Sequence, residues 1–157
     1  MDYMKKYEYW LNSDAIDEKD REELKSIAGN EKEIEDRFFK DLSFGTGGIR
    51  GVRGIGTNRI NKYVIRKATQ GLANYMLGFD EKLAKEKGII IAHDCRIGSR
   101  EYALNTARVM AANGIKAYIY ESLRSTPELS FGVRYKGCMS GIVVTASHNP
   151  AEYNGYK

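Results

Sequence analysis

Proline and cysteine are both scarce. Two prolines in 157 residues leave no rigid Pro-rich linker, and with 42% hydrophobic residues the chain is neither disordered, collagen-like nor of low complexity. Two cysteines, Cys95 and Cys138, cannot build a disulfide framework and are expected as reduced thiols packed like small apolar residues. Long apolar runs are missing as well. The longest, GIIIA (88–92) and GIVVTA (141–146), fall far short of a bilayer span. The N-terminus MDYMKKYEYWLNSDAIDEKD carries charge where a secretion signal needs an apolar stretch. A soluble, cytoplasmic protein with no membrane partner is expected. Its length suits one domain, or two very small ones, and no internal repeat is present.

What the chain does have is an uneven charge. The net +4 divides into −5 over residues 1–43 and +9 over residues 44–157. A basic body suits an anionic partner such as a phosphorylated metabolite or a nucleic acid, though a solvated basic surface gives the same count. No nucleic-acid fold signature accompanies it.

Residues 1–42 read as helix. In DEKDREELKSIAG (17–29), Leu24 and Ile27 share a stripe that Gly29-Asn30 ends. Asn30 caps a following helix, EKEIEDRFFKDL, with Ile34, Phe38 and Leu42 on one face. Tyr3, Tyr7, Tyr9 and Trp10 are expected as helix packing surface. A glycine-dense loop, 44–59, comes next, and then a helix over 61–79 with Val64, Ala68, Leu72, Tyr75 and Phe79 or Leu83 at helical spacing. Beyond it strands and helices alternate. GIIIAHD, IKAYIY and CMSGIVV read as strands. SREYALNTARVMAANG reads as a helix ended by Gly114, and TPELSFGVRYKG as a helix with Pro127 in its first turn and Gly137 past its end. This order predicts an α/β fold: a mixed, largely parallel sheet between helices, with a helical extension over 1–42 and the α/β body over 43–157.

In open α/β sheets ligands gather beyond the carboxyl ends of the strands, and three polar loops lie there or where the α/β region begins. In the first, Thr-Ala-Ser-His-Asn-Pro (145–150), Ser147 leaves a buried strand, with His148 beside it and Lys157 ten residues on, within reach if the chain turns at Asn149-Pro150 and Asn154-Gly155. A nucleophilic serine needs a base and charge stabilisation; a serine that merely caps a turn needs neither. A hydrolase triad is poorly supported, because there is no G-x-S-x-G elbow. In the second loop, glycines 45, 47, 48, 51, 54 and 56 interleave with Arg50, Arg53 and Arg59. Backbone N–H groups and arginine forks of this kind can hold phosphate, but the loop matches neither G-x-G-x-x-G nor the Walker pattern, and a mobile loop with solvated arginines is the alternative. In the third, His93 to Ser99, Asp94 and Arg96 can pair to brace the loop while Ser99 caps the next helix. A metal site from His93, Cys95 and His148 lacks any standard spacing.

Together the three loops carry a resemblance. TASHNPAEYNGYK preceded by GIVV resembles the active-site serine segment of the α-D-phosphohexomutases, the phosphoglucomutase and phosphomannomutase superfamily. FGTGGIRG (44–51) resembles that family's arginine loop and HDCRIGS its Asp-x-Arg-x-x-Ser loop, in the family's order. The resemblance implies the family's domain I, truncated at its C-terminal edge. It implies a phosphate on Ser147 that passes to a hexose phosphate, glucose or mannose 1- or 6-phosphate, through a bisphosphorylated sugar such as glucose 1,6-bisphosphate. Lys157 would serve in proton transfer, and His148 and Arg50 would flank the phosphoserine. Thr46, Gly47, Arg50 and Asn149 would bind phosphate, Asp94, Arg96 and Ser99 would support the loop, and the Ser147 phosphate would ligate Mg²⁺. Family members have four domains, and the D-x-D-x-D metal segment of the second is missing here. The resemblance therefore implies a domain that is inactive alone and works with the C-terminal domains of the same enzyme. The competing expectation is a non-enzymatic basic α/β module that binds anions or nucleic acid.

Overall fold

In the computed structural model, residues 2–157 are described. Three short helices open the chain: α1 (Tyr3–Asn12), α2 (Glu18–Ser26) and α3 (Glu31–Phe38). Asn30 caps α3 by accepting from the Glu33 N–H at 3.2 Å. The helix stops at Phe38, earlier than the periodicity suggests, and Leu42 packs instead against the core of the sheet. Tyr7, Leu24, Ile27, Ile34 and Phe38 form a small core of their own with Ile16 and Ile55. Trp10 joins them edge-on to Phe38 and to Tyr63, at 5.8 and 5.5 Å between ring centroids. Tyr9 is exposed and does not share this packing. Ion pairs anchor the extension to the body: Lys62 to Asp17 and Asp20, and Arg59 to Asp36.

The body is a five-stranded mixed sheet in the order β1-β5-β4-β2-β3, comprising β1 (Ile49–Val52), β2 (Ile89–His93), β3 (Ala117–Ile119), β4 (Ser140–Val144) and β5 (Tyr153–Tyr156). β2 pairs in parallel with β3 and β4, whereas β5 runs antiparallel to both β1 and β4. One face is covered by α4 (Lys62–Lys87) and α5 (Ser99–Ala112), the other by α6 (Thr126–Lys136). α6 begins with a Ser125–Glu128 capping box and Pro127, and ends at Gly137, which takes φ 63°.

Two segments read as loops are strands. IRGV lies inside the glycine-rich stretch, and YNGY inside the serine segment. Asn154-Gly155 reads as a turn but is mid-strand. A Cβ on Gly155 would lie 2.5 Å from the Thr145 carbonyl oxygen and 2.8 Å from that of Ile49, so glycine there permits close strand approach. α4 also differs from expectation. It buries Ile65, Thr69, Ala73 and Met76 and leaves Tyr75 and Phe79 exposed. Its apolar residues span an arc wider than one packing face, opposite exposed Lys67, Gln70 and Asn74, so periodicity alone admits two faces, and the Thr69 and Tyr156 hydroxyls, 2.9 Å apart, mark the one facing the sheet. At Asp80 (φ −160°, ψ 99°) the helix kinks, and the Asp80 carboxylate caps the second part by accepting from the Leu83 N–H at 2.9 Å. Among the described residues, no helix is long and apolar enough to cross a membrane.

Candidate active site

β4 delivers its chain to the carboxyl edge of the sheet, and Ser147 emerges there exposed, three residues beyond the strand. Its backbone takes φ 59°, and it is the one non-glycine residue with positive φ among those described. Such a conformation costs a non-glycine residue roughly 1–2 kcal/mol and persists only where the surroundings hold it.

The hold comes from Arg96. Its guanidinium donates to four carbonyl oxygens of the serine loop: Ser147 at 2.9 Å, Asn149 at 2.6 Å, Pro150 at 2.7 Å and Tyr153 at 3.1 Å. The Asp94 carboxylate lies 3.3 Å from Arg96 Nε, and also accepts from the Arg96 N–H at 2.9 Å and the Ser99 hydroxyl at 2.6 Å. Asp94 and Arg96 therefore pair, and the pair holds the serine loop as well as its own. Ser99 does not cap α5, because Gly98 holds the cap position. Ser99 is buried instead, and its oxygen also accepts from the Asn154 side-chain amide at 2.9 Å. Asn154 also donates to the Ile97 carbonyl at 3.2 Å, and the Ser147 N–H donates to the Thr145 hydroxyl at 3.0 Å. Sequence reasoning missed both Asn154 and Thr145: Asn154 reads as half of an Asn-Gly turn, and its partners lie more than fifty residues away.

The glycine loop approaches from the other side. Gly45 and Gly48 exchange backbone hydrogen bonds at 3.1 Å in both directions, so Thr46 and Gly47 form an exposed tip. A Cβ on Gly47 would sit 2.7 Å from the Arg50 guanidinium, which itself donates to the Asn149 side-chain oxygen at 3.3 Å. Gly48 has φ +88°, and a Cβ there would run into the Tyr156 carbonyl oxygen and lie 2.9 Å from Lys157 Cα. Gly48→Ala is therefore expected to destabilise the fold by about 2 kcal/mol, read from the denaturant midpoint. An unchanged midpoint would contradict this packing.

Lys157 continues the pairing of β5 and exchanges backbone hydrogen bonds with Val143 at 3.0 and 3.1 Å. The chain turns within 147–152, not at Asn154-Gly155. Burial lowers the Lys157 ammonium from its ordinary pKa, the neighbouring Arg50 lowers it further, and Asp94 acts in the opposite direction. Arg50 and Lys157 thus form a cationic pair, and neither has a carboxylate within ion-pair distance among the described residues. A dianionic phosphate would supply the missing counter-charge.

His148 is exposed and its ring makes no hydrogen bond among the described residues. His93 is buried. Its Nδ1 lies 2.9 Å from the Asp94 carbonyl oxygen, and its Nε2 has no partner. Cys95 is exposed rather than packed, while Cys138 is buried. His93, Cys95 and His148 do not gather as a ligand set, and no trio of His, Cys, Asp or Glu among the described residues could hold a metal ion. The Asp94 carboxylate, which faces the serine loop through Arg96, is already committed to Arg96 and Ser99. The residues present do not by themselves fit a Mg²⁺ site.

The family model for phosphoglucomutase/phosphomannomutase, alpha/beta/alpha domain I, matches residues 41–157. A phosphoglucomutase of Staphylococcus haemolyticus is 42% identical over 123 residues, which is 78% of this chain and 22% of that protein. A Staphylococcus epidermidis phosphoglucomutase is 37% identical over 149 residues, 94% of this chain and 27% of that one. Among solved structures, a candidate phosphomannomutase from Thermus thermophilus superposes with a TM-score of 0.66 at 28% identity, covering 75% of this chain and 25% of that chain. The chain spans about a quarter of the length of the curated relatives it matches.

Proposed function

Because the chain belongs to the phosphoglucomutase/phosphomannomutase family, we propose that it supplies the phosphoserine of a hexose-phosphate mutase. The observation that supports this most directly is Ser147 itself, exposed and clamped in a left-handed conformation two residues from Asn149, whose side chain accepts a hydrogen bond from Arg50. In this reading a phosphoryl group rests on Ser147 Oγ. A hydroxyl oxygen of a hexose phosphate attacks the phosphorus, and the bond to Oγ breaks. The hydroxyl proton passes by way of the Lys157 amine, which burial and Arg50 shift toward its neutral form, to the departing Ser147 Oγ. Arg50 stabilises the charge spread over the transferring phosphoryl oxygens, while the Arg96 clamp keeps Oγ in line. The bisphosphorylated sugar then returns its other phosphate to Ser147. The tip at Thr46 and Gly47, with Asn149, binds non-transferring phosphate oxygens, and the exposed His148 flanks the phosphoserine.

The residues of this chain would contribute to a Mg²⁺ ion only the phosphate on Ser147, whose charge such an ion would help to neutralise. Sugar selection and the remaining metal ligands fall to further domains of a longer enzyme, so residues 1–157 alone are expected to show no mutase turnover. The test is mass spectrometry of the longer enzyme in its resting state. One added phosphate, mapped to the peptide carrying Ser147 and restored by glucose 1,6-bisphosphate after dephosphorylation, is the expected result. A phosphate found on another side chain would overturn the reading.

A further inference from the structure

Asn154 takes no part in the chemistry, yet it is fully buried with every polar atom of its side chain engaged. One amide hydrogen goes to the Ile97 carbonyl oxygen at 3.2 Å and the other to Ser99 Oγ at 2.9 Å. Its side-chain oxygen accepts from the Gly155 N–H at 2.7 Å. A buried polar group with a full set of partners fixes the elements it joins. Here those elements are the two halves of the site. On one side is the β1–β5 ribbon, which carries both cations: Arg50 stands opposite Gly155, and Lys157 follows the last residue of β5. This ribbon meets β4 at one register pair, Val144 with Tyr156, with the Lys157–Val143 and Thr145–Gly155 backbone bonds beside it. On the other side are Ile97 and Ser99, in the loop whose Asp94 and Arg96 grip the serine loop.

The hydrogens run in one direction. Because Asn154 donates to Ser99 Oγ, the Ser99 hydroxyl is left to donate to Asp94, at 2.6 Å, and Asp94 holds Arg96. Arg96 closes the circuit on the carbonyl of Tyr153, next to Asn154. An amide turned end for end would set its oxygen against the Ile97 carbonyl oxygen and forfeit the Gly155 N–H. On the mutase reading of Ser147, Arg50 and Lys157, we propose that Asn154 is a positioning residue: it seats the ribbon bearing Arg50 and Lys157 on the clamp that holds Ser147, so that both cations keep one distance from the phosphoryl carrier. Asn154 itself touches no substrate. Displacing catalytic groups by about 1 Å slows a reaction that depends on alignment by up to roughly 10²-fold.

The test uses the longer enzyme, with turnover of glucose 1-phosphate or mannose 1-phosphate, whichever is faster, counted per phosphate mapped on Ser147. Asn154→Ala is expected to lower kcat by about tenfold or more while KM changes by less than about twofold. A merely structural side chain would lower the fraction of folded, phosphorylated enzyme and leave turnover per phosphate unchanged. Ser99→Ala cuts one link and keeps the Ile97 bond, so a smaller fall in the same direction is expected. As the two residues act as one unit, Ser99→Ala combined with Asn154→Ala loses no more than Asn154→Ala alone. Turnover per phosphate within about twofold of the unmodified enzyme in Asn154→Ala, or in Ser99→Ala if Asn154→Ala does not fold, overturns the proposal. Losses that simply multiply in the double variant overturn it too. Absence of phosphate from Ser147 in the unmodified enzyme overturns the mutase reading instead, and the proposal with it.

Discussion

Replacing Ser147 by alanine is expected, on the proposed reading, to lower mutase turnover of a longer enzyme by roughly 10⁴-fold or more, since the proposed phosphoryl carrier is gone. Stability should scarcely move, because the side chain is exposed and its oxygen holds nothing in place. Ser147→Gly separates the two properties further. Activity is lost equally, but glycine adopts the φ of 59° without the Cβ penalty, so the fold gains about 1 kcal/mol. Steady-state assays and denaturant midpoints on the same pair of variants read both effects. Substantial turnover in either variant would remove Ser147 from the chemistry, and a destabilised Ser147→Gly would mean that the backbone is not under strain.

Arg96→Ala is the substitution expected to cost the fold most. The guanidinium meets four carbonyl oxygens of one loop and a carboxylate, and its removal leaves all of them short of a donor in a half-buried site. A loss of about 3 kcal/mol is expected. Amide exchange should accelerate selectively over 147–153. In the longer enzyme turnover should fall as well, because Ser147 Oγ is no longer held in line. Arg96→Lys restores little, since a single ammonium cannot span four acceptors that a planar fork reaches. A stability change below about 0.5 kcal/mol would show the clamp to be ornamental.

Legibility in the sequence followed the range of the interactions. β2, β4 and α6 are written locally, in apolar runs, a Ser-Thr-Pro-Glu start and a glycine stop. β1 and β5 are not. Their glycines and asparagine are turn-forming residues, placed in strands by distant partners: backbone carbonyls of Thr145 and Ile49 crowd Gly155, the Leu42 side chain crowds Gly51, and Asn154 bonds to Ile97 and Ser99. The pairing of Asp94 with Arg96 can be read from two residues of separation. The target of the pair cannot, because nothing in HDCRIGS indicates four carbonyls more than fifty residues downstream. α4 shows the limit of periodicity: an apolar arc wider than one packing face states that the helix packs, not which part of the arc meets the sheet.

The position of β5 has a consequence for how the chain acquires its shape. The last strand inserts between β4 and the first strand, and Ile49 meets Tyr156 across more than a hundred residues. β1 pairs with no named strand other than β5. During synthesis β1 therefore emerges early and waits as an unmatched ribbon until the final residues of β5 leave the ribosome. Closing so long a loop is entropically slow. The serine loop, strung between β4 and β5, matures only at that closing step. A nascent chain can thus form its α5–β2–α6 layers before the Ser147 loop is closed between β4 and β5.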